Sequence, residues 1–261
     1  MIEIDGLSKS YGTKEALKDL TIAVSPGTVL AFLGPNGAGK TTSIKLLAGL
    51  LRPSAGTARI CGHDVRTDFV AAKASLGYVP DEPYLYEKLT GREFLRFVAS
   101  LHRLSRAEIE GRIDELVARF EVGDYVDELA GGYSHGMKQR VVICAALLHD
   151  PQALVIDEPM VGLDPKGARI VKDTLRERAD SGAAVFVSTH TLSVAEEIAD
   201  RIGIINYGRL VAAGTIDELR DLSKSDGHIE DLFLDLTAPT EMDSPPQAGG
   251  PVRSGADPPA T

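Results

Sequence analysis

The segment Gly34-Pro35-Asn36-Gly37-Ala38-Gly39-Lys40-Thr41-Thr42 has the residue types and spacing of a loop that cradles phosphate. Its glycines let the backbone curl until successive N–H groups point at a β-phosphate, and a helix starting there adds its positive N-terminal dipole. Lys40 brings a mobile point charge, and Thr41 offers a hydroxyl to Mg²⁺. A second cluster, Leu154-Val155-Ile156-Asp157-Glu158-Pro159, ends an unbroken apolar run in two carboxylates. The ends of buried strands are where open α/β sheets bind ligands. Asp157 there suits Mg²⁺ held through water, and Glu158 suits a base that orients and deprotonates an attacking water. A third run, Val187-Ser188-Thr189-His190, carries one histidine past a strand end, where a neutral imidazole donates one hydrogen bond and accepts another. A lone histidine is more often structural; on the strand after Asp157 it can reach a γ-phosphate. Together these residues predict a protein that binds and hydrolyses a nucleoside triphosphate.

Such groups converge only if the chain folds into alternating strands and helices. The run Val29 to Leu33 reads as the strand before the phosphate loop and Ser43 to Leu51 as the helix after it. Short strands at Ile2 to Ser8 and Leu20 to Val24 suggest a small β layer at the start, and further strands are expected at Thr57 to Cys61 and Leu76 to Val79. Thr90-Gly91-Arg92-Glu93 and Ser105-Arg106-Ala107-Glu108 both fit the capping box that opens a helix. A mostly helical lobe over about 82–149 follows, inserted into the α/β core. The strand Ala153 to Asp157, the helix Lys166 to Asp180 and the strand Ala183 to Ser188 then resume a parallel sheet. A hairpin turning at Tyr207-Gly208 and a helix from about Thr215 to Leu222 complete the domain over 1–222, with a C-terminal extension over 223–238. From Pro239 to Thr261 the composition shifts to proline and glycine with few large apolar residues, which predicts a disordered tail.

At 261 residues, 43% apolar and 25% charged, the chain can bury one large core. Its net charge of −10 and lack of a basic block disfavour general nucleic-acid binding. Two cysteines, Cys61 and Cys144, both in apolar settings, point to buried thiols rather than a disulfide or metal cluster. The longest apolar run, Val141 to Leu148, is far short of the ~20 residues that cross a bilayer. The first residues, Met1 to Asp5, lack the basic and apolar regions of a leader. The expectation is a protein of the cytosol or one docked onto something in the membrane.

In this order the motifs resemble the ATP-binding subunits of ATP-binding-cassette (ABC) transporters, over residues 1 to about 237. Tyr11 is similar to the aromatic that stacks on adenine, Gly34 to Thr42 to the Walker A loop, and Tyr133-Ser134-His135-Gly136-Met137 to the family signature. Ala153 to Glu158 is similar to Walker B, Gly162-Leu163-Asp164 to the D-loop and His190 to the switch histidine. The resemblance implies a P-loop NTPase fold: a RecA-like parallel sheet, an N-terminal antiparallel β layer and an inserted helical lobe. It implies ATP and Mg²⁺ as cofactors, with Ser134 and Gly136 grasping the γ-phosphate held by a second cassette and Asp164 lying in the same nucleotide interface. Three positions depart from the family pattern, the first being Tyr133, which stands for a leucine. His135 stands for a glycine, which requires a negative φ or a side chain turned from the phosphate. Asp81 follows Leu76 to Pro80 where the family has glutamine; its carboxylate can reach Mg²⁺ or its water while adding negative charge beside the triphosphate.

That loop and the ending Ile229 to Thr237 resemble the ABC-2 branch of exporters, in which the membrane subunits are separate chains. The resemblance therefore implies an ATPase on the cytoplasmic face of the membrane, with integral permease subunits and a second cassette as partners. Segment Asp81 to Leu95, displaying Tyr84, Leu85, Tyr86 and Leu89, is the expected dock for a cytoplasmic helix of the permease. The competing functions are a soluble ABC ATPase of translation or DNA repair and a regulatory module that closes on ATP without turnover. The single motif set disfavours the first; Lys40, Asp157, Glu158 and His190 disfavour the second. No Asn-Lys-x-Asp segment supports a GTPase.

Overall fold

The computed structural model describes residues 1–102, 104–222 and 229–238; the tail from Pro239 lies outside the described residues. In chain order the elements are β1 (Ile2–Tyr11), β2 (Lys14–Val24), β3 (Val29–Leu33), α1 (Lys40–Leu47), β4 (Ala55–Ile60), β5 (His63–Asp64), α2 (Phe69–Ala74) and β6 (Leu76–Val79). Three helices follow, α3 (Gly91–Leu101), α4 (Arg106–Arg119) and α5 (His135–Leu147). Then come β7 (Ala153–Asp157), α6 (Pro165–Asp180), β8 (Ala184–Thr189), α7 (Leu192–Ile198), β9 (Arg201–Asn206), β10 (Arg209–Gly214), α8 (Ile216–Leu222) and α9 (Ile229–Thr237).

Two sheets form. One is antiparallel in the order β2-β1-β4-β5, and the other runs β10-β9-β3-β8-β7-β6 with only its β9–β10 edge antiparallel. This is the expected α/β class, an antiparallel β layer against a mostly parallel sheet. The unbroken apolar strands β3, β7 and β8 are buried on both faces, as helix-covered parallel strands must be. Phe32 and Phe186 meet across β3 and β8 at 5.1 Å between ring centres. Each such side chain withdrawn from water contributes about 1.5–3 kcal/mol, enough to hold rigidly the strand ends that carry Asp157 and the phosphate loop.

Helices α3 and α4 open on the two predicted capping boxes, in which Thr90 accepts from the Glu93 amide at 3.1 Å and Ser105 from the Glu108 amide at 3.3 Å. Several boundaries differ from the sequence expectation. The first two strands run to Tyr11 and start at Lys14, because alternating half-buried polar residues continue the ladder where no apolar run marks it. Helix α1 starts at Lys40, directly after left-handed Gly39 (φ 116°), and stops at Ala48-Gly49, where Gly49 (φ 66°) turns the chain and Leu50 N–H caps Lys45 C=O. Short α7 escaped the sequence reading. Within the C-terminal extension, α9 lays Ile229, Leu232, Phe233 and Leu236 on the apolar cluster that includes Leu219 and Ile204.

Candidate nucleotide site

The phosphate loop is a backbone device, and its shape excludes side chains at two points. A Cβ on Gly34 would sit 2.4 Å from the Ile205 carbonyl oxygen, and one on Gly39 would sit 2.8 Å from that of Ala16. Only glycine lets the loop lie this close to β9 and β2. Lys40 is buried; its Nζ donates to the carbonyls of Gly34 at 2.7 Å and Pro35 at 3.3 Å and stands 3.8 Å from Glu158 Oε1. Burial lowers the Lys40 pKa, against the pull of Glu158 and Asp157, so this amine is a poorly hydrated charge ready for a stronger anion.

At the end of β7, Asp157 is almost fully buried and accepts a very short hydrogen bond from Ser188 Oγ. Its Oδ2 has no partner among the described residues. Desolvation holds its carboxyl above the usual range, reinforced by Asp81 and Glu158 and opposed by the nearby hydroxyls of Ser188 and Thr41. A buried carboxylate oxygen without a partner, beside a hydroxyl, is the donor set a hard divalent cation takes. Among the described residues no group of three or more His, Cys, Asp or Glu side chains is arranged to hold a metal, so protein ligands here are limited to a carboxylate and a hydroxyl.

Glu158 has φ 48°, the left-handed region, which for a non-glycine residue costs on the order of 1–3 kcal/mol and persists only where its surroundings over-determine it. Here they do: its N–H is shared between Ser188 Oγ at 3.2 Å and Ser188 C=O at 3.3 Å. His190 Nδ1 meets Glu158 Oε1 at 2.9 Å. Ser188 thus aims both carboxylates. The sequence assigns Ser188 no task; its one signal is a polar side chain where the apolar run of β8 ends.

One cavity of about 860 Å³ gathers Tyr11, Asn36, Gly37, Gly39, Lys40, Thr41, Thr42, Asp81 and Glu158, together with Lys14, Glu15, Ala16, Lys18 and Tyr207-Gly208. Tyr11 is 48% exposed, with Lys9 Nζ 5.1 Å from its ring centre. Asp81 is exposed and its Oδ1 accepts from the Glu82 amide at 3.0 Å. Gly34, Pro35 and Ala38 shape the loop from behind and do not line the cavity.

Ser134, Gly136 and Asp164 are not brought to this cavity. They line a second one of about 300 Å³ with Tyr125, Arg140 and Gly162. Ser134 caps α5 by accepting from the Met137 amide at 3.3 Å, and Asp164 caps α6 while pairing with Arg140. His135 takes helical backbone as the first residue of α5, and its ring lies against Gly162, where a Cβ would come within 2.3 Å of His135 Cδ2. The side chain standing where the family has a glycine is thus seated on the next loop. One expectation needs correction: Leu85 is not displayed in the 81–95 segment but buried at 2% exposure beneath the helices, while Tyr84 and Tyr86 stay exposed. Branched Leu85 fills the helical core, and the amphipathic tyrosines alternate outward.

The ABC transporter family matches this chain over residues 17–161. The daunorubicin resistance ATP-binding protein DrrA3 of Streptomyces coeruleorubidus is 41% identical over 219 residues, 84% of this chain and 69% of that protein. A solved structure of the ATP-binding subunit of an ABC transporter is 35% identical with a TM-score of 0.85, covering 90% of this chain and 99% of that one. A dimeric ATP-binding cassette in a post-hydrolysis state, bound to ADP and phosphate, shares the fold at 24% identity and a TM-score of 0.75, over 82% of this chain and 98% of that one.

Proposed function

This chain belongs to the ABC transporter family as an ATP-hydrolysing subunit, and we propose that it powers an ABC-2 type exporter whose membrane subunits are separate chains. In this reading Gly34 to Thr42 receive the triphosphate, Lys40 leaves the loop carbonyls for phosphate oxygens, and Tyr11 stacks on the base. Asp157 and Thr41 hold Mg²⁺; the buried unpartnered Oδ2 of Asp157 supports this, and Asp81 lies within reach of the same cation or its water. Held there by Asp157 and Thr41, the ion would supply positive charge to offset the negative charge developing on the phosphates. Glu158 orients a water and takes its proton, with His190 fixing the carboxylate.

The observation that carries the assembly is the separation of Ser134 and Gly136 from the cavity of Lys40. A capped helix N-terminus beside Asp164 is a half-site for an anion, and a second copy of the chain would complete it. Two composite sites then form only when two cassettes close on ATP, and hydrolysis releases them. No helix among the described residues is long and apolar enough to cross a membrane. In this reading the stroke is passed to separate partner subunits at the membrane's cytoplasmic face. Export, rather than uptake, is supported by the drug-resistance relative.

The test mixes Lys40→Ala and Ser134→Ala chains, each inactive alone. A heterodimer puts both defects in one composite site and leaves the other intact, so partial ATPase activity should return. No recovery, with heterodimers shown to form, would sink the two-copy arrangement.

A further inference from the structure

Tyr207 occupies a turn that does not want it. The residue has φ 45°, a backbone conformation that glycine, asparagine or aspartate adopts more readily than a bulky aromatic. Its neighbours hold it there from three directions. Asn206 Nδ2 donates to the Leu236 carbonyl of α9 at 3.0 Å, Gly208 N–H donates to the Ala38 carbonyl of the phosphate loop at 2.8 Å, and Lys18 N–H donates to the Gly208 carbonyl at 2.8 Å. The turn cannot recede, because a Cβ on Gly208 would already be 2.8 Å from the Ala16 carbonyl oxygen. Backbone strain that is over-determined in this way is a feature of ligand clamps.

The ring itself is unaccounted for by the fold. Tyr207 is 42% exposed and makes no hydrogen bond or ring contact with another described residue. It lines the same cavity as Tyr11 and the phosphate loop. Tyr11 reaches that cavity from the end of β1, where it pairs with Lys14, and Tyr207 reaches it from the β9–β10 turn packed on Ala16 to Lys18. Both tyrosines therefore stand on the β2 side of the cavity, arriving from different sheets.

We propose that Tyr207 is a nucleotide-contacting residue whose ring packs on the base and ribose together with Tyr11. The proposal deepens the reading of this cavity as an ATP site and rests on it. An aromatic surface gains contact with any base because every base has a π-face, and one such contact is worth about five- to a hundredfold in affinity. The turn's anchorage to Ala38 fixes the ring relative to the phosphate loop, so little ordering is left to be done when nucleotide binds.

The experiment measures equilibrium binding of Mg²⁺-ATP and of Mg²⁺-tripolyphosphate, which lacks base and ribose, to the full chain and to Tyr207→Asn, Tyr207→Phe and Tyr11→Ala. Asparagine suits the left-handed turn and removes only the ring. Tyr207→Asn is expected to weaken ATP at least fivefold and leave tripolyphosphate unchanged, while Tyr207→Phe binds both like the parent. Photolabelling with 2-azido-ATP is expected to modify peptides containing Tyr207 as well as Tyr11. Unchanged ATP binding in Tyr207→Asn overturns the proposal, and so does an equal loss of ATP and tripolyphosphate, which would make Tyr207 a prop for the phosphate loop. A parent chain that binds tripolyphosphate but not ATP would instead overturn the reading of the cavity itself.

Discussion

Replacing Glu158 with glutamine separates the two tasks of that position. Glutamine keeps the length, the planar end group and an oxygen that can still accept from His190 Nδ1, now at 2.9 Å. It tolerates the same left-handed backbone, so the amide shared with Ser188 should remain. What disappears is the negative charge and its capacity to take a proton. A positioned general base contributes about 10²–10⁴ in rate, or roughly 3–5 kcal/mol of barrier. Ground-state binding should move the other way. Lys40 stands 3.8 Å from Glu158 Oε1, an attraction of roughly 4 kcal/mol at an effective dielectric constant near 20, before the desolvation of both groups is subtracted. In the Gln variant a triphosphate no longer competes with Glu158 for Lys40 and meets one negative charge fewer. Glu158→Gln should therefore bind ATP as tightly as the parent or more so, and hydrolyse it at least a hundredfold more slowly. Equilibrium dialysis and single-turnover hydrolysis with the membrane partners present measure both quantities. Turnover within tenfold of the parent would refute the assignment of Glu158 as base.

Two further outcomes follow from particular side chains. The folded-state pKa of Asp157 is raised above 3.8, so its contribution to stability is fully present below that value and lost as pH rises to the folded-state value. Asp157→Asn should melt at a higher temperature than the nucleotide-free parent at pH 7, with the gain vanishing below about pH 4, while ATP binding loses its Mg²⁺ dependence; an unchanged or lower melting temperature at pH 7 would count against the buried-charge account. Tyr84 is 70% exposed and meets Tyr86 edge-on at 5.8 Å, while Tyr86 meets Phe97 at 5.7 Å, an aromatic surface at the foot of the helices. Cysteines placed at Tyr84 or Lys88 should cross-link to cytoplasmic loops of the permease, and labels that reach solvent alone would assign these residues to the lobe.

The geometry of the proposed catalytic edge is legible in the sequence because its residues lie in contiguous runs. A glycine-rich loop after an apolar strand, and a carboxylate pair after another, fix their own context; the parallel pairing of β3 with β8 and of β8 with β7 then brings Lys40, Asp157, Glu158 and His190 together without further instruction. What sequence could not supply was long-range. Ser188 gains its meaning only when register sets it opposite Asp157, and Leu85 is buried rather than displayed because the irregular connection from Pro80 to Thr90 carries no periodicity from which to tell inward from outward. Tyr207 was seen as part of a hairpin turn, and nothing in the string Asn206-Tyr207-Gly208 reports that the phosphate loop is bonded to it. Strand ends were misjudged where Lys9, Ser10 and Tyr11 stay in the ladder with mostly polar side chains, since pairing with β2 satisfies their backbone groups regardless of hydrophobicity.

A two-copy mechanism also requires that the half-site offered to a partner be mechanically tied to the chain's own catalytic carboxylate, and the contacts needed are present in a single stretch. From Glu158 the chain runs through Pro159 and Gly162 to Asp164, and α5 touches it at each stage. Gln139 Nε2 donates to the Pro159 carbonyl at 3.4 Å, Gly136 is so close to Gly162 that a Cβ would lie 2.5 Å from its carbonyl oxygen, the His135 ring covers Gly162, and Arg140 pairs with Asp164. Close-packed contacts of this kind are discrete rather than elastic, so a shift of the Glu158 turn cannot be absorbed locally and has to move the N-terminus of α5 with it. The bulky imidazole at position 135 tightens this seam, because it fills the space over Gly162 that a glycine would leave open. In the proposed dimer the state of one chain's base would thereby be felt at the γ-phosphate held by its partner, and the two sites would open and close as a pair.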